Sequence, residues 1–219
     1  MIPEHVQKVL DKQGIKELRP SQKKSIDAGL FEGNNLLVCT PTASGKTLVS
    51  ELAILNLLLS PTKKGRPIAV YVVPLRALAS EKYKDFSRKY PSLQVALTSG
   101  DMDSDDRYLE NYDIIITTSE KFDSLLRHHA PWLDRVKLLT IDEIHLLNDV
   151  GRGPTLEILI TIVRRLIPDI QLIGLSATIG NSKELATWLD ARLVEDTWRP
   201  VRLDKGILYE DTLYFPEKE

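Results

Sequence analysis

The stretch at residues 40–47, TPTASGKT, narrows the possible folds of this chain more than any other. Its Gly-Lys-Thr ending matches the spacing in which backbone N–H groups of a tight loop wrap phosphate oxygens, a lysine reaches the outer phosphates and a hydroxyl binds Mg²⁺. Lys46 and Thr47 fill the last two positions. Residues 35–39 are an apolar strand candidate and residues 46–59 are apolar enough for a buried helix. A phosphate held here would meet a helix N-terminus, where the dipole and unpaired N–H groups favour an anion. The stretch departs from the simplest form of the pattern at its first position, which is Thr40 and not Gly.

The rest of the chain supplies more strand and helix signals in alternation. Residues 3–13 read as an amphipathic helix, with Val6, Val9 and Leu10 on one face and Gly14 as its stop. Pro20 and Ser21 open a second helix that carries Gln22 in its first turn. Strands are expected at 68–73, 94–97, 113–117, 136–141 and 170–174. Helices are expected after Pro74 (Leu75, Leu78, Ala79, Tyr83, Phe86 and Tyr90 on one face), at 119–127, along Leu156 to Ile167, and from a capping box at Asn181–Glu184. Leu185, Trp188 and Leu189 form the apolar face of that last helix, with Trp188 read as core. Residues 199–219 alternate like a β segment and then become charged. Strands and helices in this rhythm imply an α/β fold with a mostly parallel sheet and helices on both faces. Ligands in such sheets bind beyond the C-terminal strand ends. The polar clusters at Thr40, Pro74, Ser99, Thr117, Asp142 and Ser176 should therefore share one edge.

Bulk composition sets limits on partners and setting. A net charge of −2 gives no global attraction to nucleic acid, so polyanion binding would have to come from local donors. Cys39 is the only cysteine, which excludes an internal disulfide and suits a reducing interior. The start, MIPEHVQKVL, lacks the apolar centre of a signal peptide, and the longest apolar run is far short of a membrane span. The expected setting is the cytoplasm, with nucleoid association if the source is archaeal, and no membrane. The acidic residues 101–106 do not fit a calcium loop, because the sixth position is Asp106 and not Gly. His128 and His129 read as surface groups at a helix end.

Transfer of a phosphoryl group to water needs a phosphate cradle, a metal held by a carboxylate, and a group that orients the attacking water. The strand at 136–141 delivers Asp142 and Glu143 at its end. Asp142 would hold Mg²⁺ together with Thr47, and Glu143 would orient or deprotonate the nucleophile.

The ordered set LRPSQ, TPTASGKT, VPLRALA, TSEK, DEIH and LSATIG resembles the first RecA-like domain of superfamily 2 helicases of the DExH-box type. LSATIGN, ELATWL and WRPVRL resemble more narrowly the Ski-type branch, in particular archaeal replication-fork repair helicases related to the helicase part of DNA polymerase theta. The resemblance implies a RecA-like P-loop domain over residues 1–200, with the adenine-reading glutamine segment within 1–30. Residues 201–219 would connect toward a second RecA-like domain that this chain does not contain.

It also implies residue roles. Gln22 and Arg19 would meet the adenine end, and Thr42, Ala43, Ser44, Gly45, Lys46 and Thr47 the phosphates. Lys46, Asp142 and Glu143 would be catalytic. His145, Ser176, Ala177 and Thr178 would couple nucleotide state to nucleic-acid grip. Pro74, Arg76, Gly100, Asp101, Thr117, Thr118 and Ser119 would touch the backbone of one strand.

No aromatic residue precedes Phe31, so the base-stacking ring that such helicases often place before the glutamine is missing. These features together imply the N-terminal motor domain of an ATP-dependent DNA helicase acting on single-stranded or forked DNA in replication-fork repair or recombination, with ATP and Mg²⁺. As a fragment lacking the second domain's arginine, it would hydrolyse ATP poorly. Two other readings stay open: a nucleotide-dependent binding module that does not hydrolyse, and an RNA helicase domain, since backbone grip separates RNA from DNA only where the 2′-OH is read.

Overall fold

The computed structural model describes residues 1–61, 65–100, 106–202, 204 and 206–215. Along the chain lie α1 (Glu4–Lys12), α2 (Pro20–Asp27), β1 (Leu36–Cys39), α3 (Lys46–Leu59), β2 (Ile68–Val73), α4 (Arg76–Lys89) and β3 (Val95–Thr98). They are followed by β4 (Ile114–Thr118), α5 (Ser119–Arg127), β5 (Val136–Ile141), α6 (Gly153–Leu166), β6 (Gln171–Ser176), α7 (Ser182–Leu189) and β7 (Arg192–Glu195). A hairpin of β8 (Ile207–Tyr209) and β9 (Thr212–Tyr214) comes last. The first seven strands make one sheet in the order β3-β4-β2-β5-β6-β1-β7, and every neighbouring pair is parallel. Their C-terminal ends thus share an edge, as the alternation of elements requires.

Side-chain alternation along each strand divides the core between the two faces. Leu36, Val38, Ala69, Tyr71 and Val73 face one cluster, which takes in Val6 and Leu10 of α1, Leu52 and Leu55 of α3, and Ala79 and Phe86 of α4. Leu37, Cys39, Val70 and Val72 face the other, with Phe122 and Leu125 of α5, Leu159 and Val163 of α6, and Leu189 of α7. Both faces of the central strands are covered, so these strands read as continuous apolar runs. A fully buried residue such as Phe86 contributes about 1.5–3 kcal/mol by leaving water.

Gly174 on β6 leaves room for its neighbours, because a Cβ there would lie 3.0 Å from Ile144 and 3.1 Å from Leu37. Glu51, within apolar α3, is held by Lys89 at 3.0 Å and by the Tyr90 hydroxyl at 2.5 Å. No helix among the described residues is long and apolar enough to cross a membrane.

Several local expectations need correction. Trp188 is 38% exposed and does not belong to the core, because Ala186 and Leu189 form the packing face of α7 and Trp188 points off it. Asn181 makes no side-chain cap; the Ser182 hydroxyl instead donates to Glu195 at 2.7 Å. Leu75 precedes α4 and is 51% exposed. β6 extends two residues further than residues 170–174 suggested, through Ser176. β7 pairs with β1 although its sequence, RLVE, is charged at both ends, a pattern typical of an edge strand. Residues 101–105, including Asp101, lie outside the described residues.

Candidate active site

The loop between β1 and α3 is shaped by three local restraints. Thr40 is fully buried and its hydroxyl shares a hydrogen bond with Ser44 at 2.7 Å, so a side chain at this first position ties the loop to itself. Ala43 (φ 65°) and Gly45 (φ 91°) turn through the left-handed region. A Cβ at Gly45 would stand 2.7 Å from the Gln22 amide nitrogen, so Gln22 and Arg19 can lie this close to the loop only because the residue is glycine. Arg19 donates from Nη1 to the Ala43 carbonyl at 2.7 Å, and Gln22 donates from Nε2 to the Gly45 carbonyl at 3.0 Å. The Gln22 carbonyl oxygen accepts from the Arg19 backbone N–H at 2.8 Å. Gln22 is therefore buried, its amide engaged at both ends in holding the loop. Thr42 and Ala43 are left exposed at the loop's crown.

Across from the loop, β5 ends in the two acids. Glu143 adopts φ 53° and ψ 44°, a left-handed conformation that costs a residue with a Cβ on the order of 1–3 kcal/mol. The Asp142 carboxylate helps to hold that turn by accepting the Glu143 N–H at 3.0 Å. The Glu143 carboxylate lies 3.4 Å from Lys46 Nζ and 3.3 Å from His145 Nδ1. Asp142 accepts the Tyr71 hydroxyl at 2.9 Å and lies 3.5 Å from Lys82 Nζ, which itself donates to the Thr47 hydroxyl at 3.1 Å. Burial, then the Asp142 charge, push the Tyr71 phenol well above its ordinary pKa, so it stays a donor. Hydroxyl and carboxylate are hard oxygen donors of the kind Mg²⁺ takes, and the shared contact with Lys82 places Thr47 and Asp142 on one spot. The residues present fit that ion.

β6 lies between β1 and β5 in the sheet, and its end supplies Ser176, Ala177 and Thr178. The Ser176 carbonyl accepts the Thr40 N–H at 3.2 Å, joining this segment to the start of the loop. Ser176 is buried and Thr178 exposed. Cys39 beside it is inert as a nucleophile, since burial raises its thiol to about 11.

The predicted nucleic-acid residues lie at or after the ends of β2, β3 and β4 on the same edge. Pro74 and Ser119 line a narrow cleft with Asp142, Glu143 and Arg152, so they adjoin the acids directly. Arg76 and Gly100 are exposed. Thr117, Thr118 and Ser119 are buried, and the Thr118 hydroxyl accepts the Lys121 N–H at the start of α5. A strand lying here would meet backbone N–H groups and a helix start more than these hydroxyls.

Sequence reasoning missed four residues of this region: Tyr71, Lys82, Arg152 and Trp198. Tyr71 carried a usable signal, because a tyrosine in the doubly buried run IAVYVV needs a partner for its hydroxyl. Lys82 did not, since only the tertiary placement of α4 brings it to Thr47. Trp198 arrives from beyond β7 and lies 5.4 Å from the Arg19 guanidinium. It puts an aromatic ring beside the glutamine segment from the far side of the chain. A concavity of about 740 Å³ opens near Asn35, Ile170 and Arg192 at the opposite edge and contains none of the phosphate-loop, acid or strand-contacting residues.

A phosphate loop after one parallel strand, with paired acids after the next strand but one, defines the P-loop class of proteins on the RecA-like fold. More particularly, the chain belongs to the DEAD/DEAH box helicase family, whose profile matches residues 19–185.

An ATP-dependent DNA helicase Hel308 from Pyrococcus abyssi is 50% identical over 217 residues, 99% of this chain and 29% of that protein. One from Methanocaldococcus jannaschii is 51% identical over 215 residues, 94% of this chain and 17% of that protein. Among solved structures, the DUF1998 helicase MrfA bound to DNA and AMPPNP aligns with a TM-score of 0.75 at 28% identity, over 90% of this chain and 29% of that one. A further crystal structure of the DUF1998 helicase MrfA gives 0.73 at 29% identity, over 89% of this chain and 33% of that one. The chain thus spans less than a third of the length of these curated relatives.

Proposed function

We propose that this chain is the first motor domain of an ATP-dependent DNA helicase that moves along single-stranded or forked DNA in replication-fork repair. The observation that carries the reading is the 3.4 Å approach of Lys46 to Glu143 across the sheet edge, which brings the phosphate-reaching lysine and the water-orienting acid into one cleft. Family membership and the Hel308 likeness support it, as does the alignment with a helicase holding DNA and an ATP analogue.

In this reading the N–H groups of residues 42–47 and Lys46 bind the phosphates of ATP. Thr47 and Asp142 would hold Mg²⁺, whose charge would offset that of the phosphates. Glu143 takes the proton of the attacking water, and Lys46, released from Glu143 when phosphate arrives, leaves that carboxylate free to act as base. Gln22 and Arg19 meet the adenine end while bonded to the loop, so the base and the phosphates are sensed by one connected unit.

His145 on Glu143, and Ser176–Thr178 against Thr40, pass the nucleotide state to the strand-binding side. There Pro74, Arg76, Gly100 and Asp101 with Thr117–Ser119 hold the DNA backbone. Residues 1–200 form the motor domain, and residues 201–219 lead toward a second RecA-like domain that completes the site.

The test is ATP turnover by this chain, with and without single-stranded DNA, beside Lys46→Ala and Glu143→Gln. Nucleotide binding that is lost in Lys46→Ala, with weak turnover lost in Glu143→Gln, is the expected result. Nucleotide binding unaffected by Lys46→Ala would overturn the reading. Equal stimulation by single-stranded RNA would move the substrate from DNA to either nucleic acid.

A further inference from the structure

The Lys82 ammonium occupies a chemically conspicuous place. It donates to the Thr47 hydroxyl at 3.1 Å and lies 3.5 Å from the Asp142 carboxylate, the two groups suited to hold the metal. It also stands 5.5 Å from the centre of the Tyr71 ring, whose hydroxyl donates at 2.9 Å to the same Asp142 oxygen, Oδ2. The other Asp142 oxygen takes the Glu143 N–H at 3.0 Å. Both carboxylate oxygens are thus engaged, and the charge opposite them is a lysine supplied by α4, a helix outside the phosphate loop.

The side chains of Lys82 and Asp142 are 20% and 11% exposed, so the pair is shielded enough to matter and open enough to exchange. Two cations cannot share this spot: a divalent ion brought near the ammonium meets like-charge repulsion and finds its ligands already in use.

We propose that Lys82 is a resident cation that stands in the metal's place, satisfying Thr47 and Asp142 until Mg²⁺ arrives with the nucleotide and displaces it. This rests on the nucleotide reading above and adds a competition that no phosphate-loop motif contains. Mg²⁺ by itself does not dislodge Lys82; the metal enters with phosphate ligands that supply the rest of its coordination. Lys82 thereby sets the Mg²⁺ concentration at which nucleotide binds.

The experiment titrates Mg²⁺ against binding of a non-hydrolysable fluorescent ATP analogue to the 219-residue chain, comparing wild type, Lys82→Met, Lys82→Arg and Lys46→Ala. Lys82→Met keeps the length of the stem without the charge. It is expected to lower the half-saturating Mg²⁺ by about threefold to tenfold, the range of one partly exposed ion pair, with affinity at saturating Mg²⁺ within about twofold of wild type. Lys82→Arg is expected to keep the wild-type requirement. Without nucleotide, millimolar Mg²⁺ is expected to raise the melting temperature of Lys82→Met and leave wild type unchanged.

An unaltered Mg²⁺ requirement in a folded Lys82→Met protein would overturn the inference. So would binding about tenfold weaker at saturating Mg²⁺, which would make Lys82 a phosphate ligand. Either result leaves the nucleotide reading intact, whereas wild type that fails to bind at any Mg²⁺, like Lys46→Ala, would overturn both.

Discussion

Two stretches of the same sheet edge are built on different principles. Beyond β1 and β5, charge meets charge: Lys46 with Glu143 and Lys82 with Asp142, each at 3.4–3.5 Å and each partly shielded from water. At the ends of β2 and β4, the candidate side chains are either folded into the protein, as those of Thr117 and Thr118 are, or exposed, as that of Arg76 is. The first stretch is a set of coupled charges in which moving one leaves another unpaired, at a cost well above that of a surface pair. The second is a platform of backbone and helix start, where contacts add one by one. Chemistry should therefore fail abruptly when the first is altered, and grip should weaken gradually when the second is.

Glu143→Gln gives the sharpest test of that contrast. It is expected to cut ATP turnover by about 10²–10⁴ while analogue binding persists, since only the base is lost. A parallel fall in binding and turnover would mean that Glu143 serves mainly to hold Lys46, and the two stretches would differ less than described. Next in size, Gln22→Ala removes both bonds by which the glutamine holds the Gly45 turn and the Arg19 N–H. A loss of about tenfold in analogue affinity, with weaker preference for adenine over guanine, is the expected outcome in equilibrium binding.

On the platform, Arg76→Ala should weaken single-stranded DNA binding only about twofold to fivefold. Its salt dependence should become shallower by about one counterion, as for one lost phosphate contact, measured by anisotropy across salt concentrations.

The smallest effect concerns the segment that carries Trp198. Burial would raise the Asp196 pKa, but the Trp198 N–H at 2.7 Å and Lys24 at 2.9 Å outweigh it and hold the pKa below the usual carboxylate value. A lowered acid pKa contributes stability above its unfolded value, about 4, and loses it as pH falls through the folded value. Asp196→Asn should therefore lower the melting temperature by about 1–3 °C at pH 7 and make progressively less difference below pH 4.

The sheet was legible because its strands are short apolar runs separated by amphipathic helices, a pattern that burial on both faces enforces. The phosphate loop and the acids were legible because their chemistry demands particular residues at fixed local spacing. What escaped depends on distance. Lys82 and Trp198 are polar or amphipathic residues whose neighbours come from other elements; nothing near Lys82 marks it off from a solvated side chain, and WRPVRL marks a resemblance without showing that its Trp198 reaches Arg19. β7 escaped because an edge strand needs no apolar run. Trp188 was misplaced because its helix could bury only part of the face that periodicity assigned to it.

Gly174 has a consequence for the width of the cleft. The strand ends carrying the loop and the acids are two sheet spacings apart, about 10 Å, with β6 as the spacer. Because Gly174 has no side chain, Leu37 below the loop and Ile144 behind the acids close over β6 from either side. The gap into which a triphosphate must fit is gauged by an atom that is not there. A single methyl group at this position would have to push Ile144 or Leu37 aside by tenths of an ångström, and the gauge would change with it.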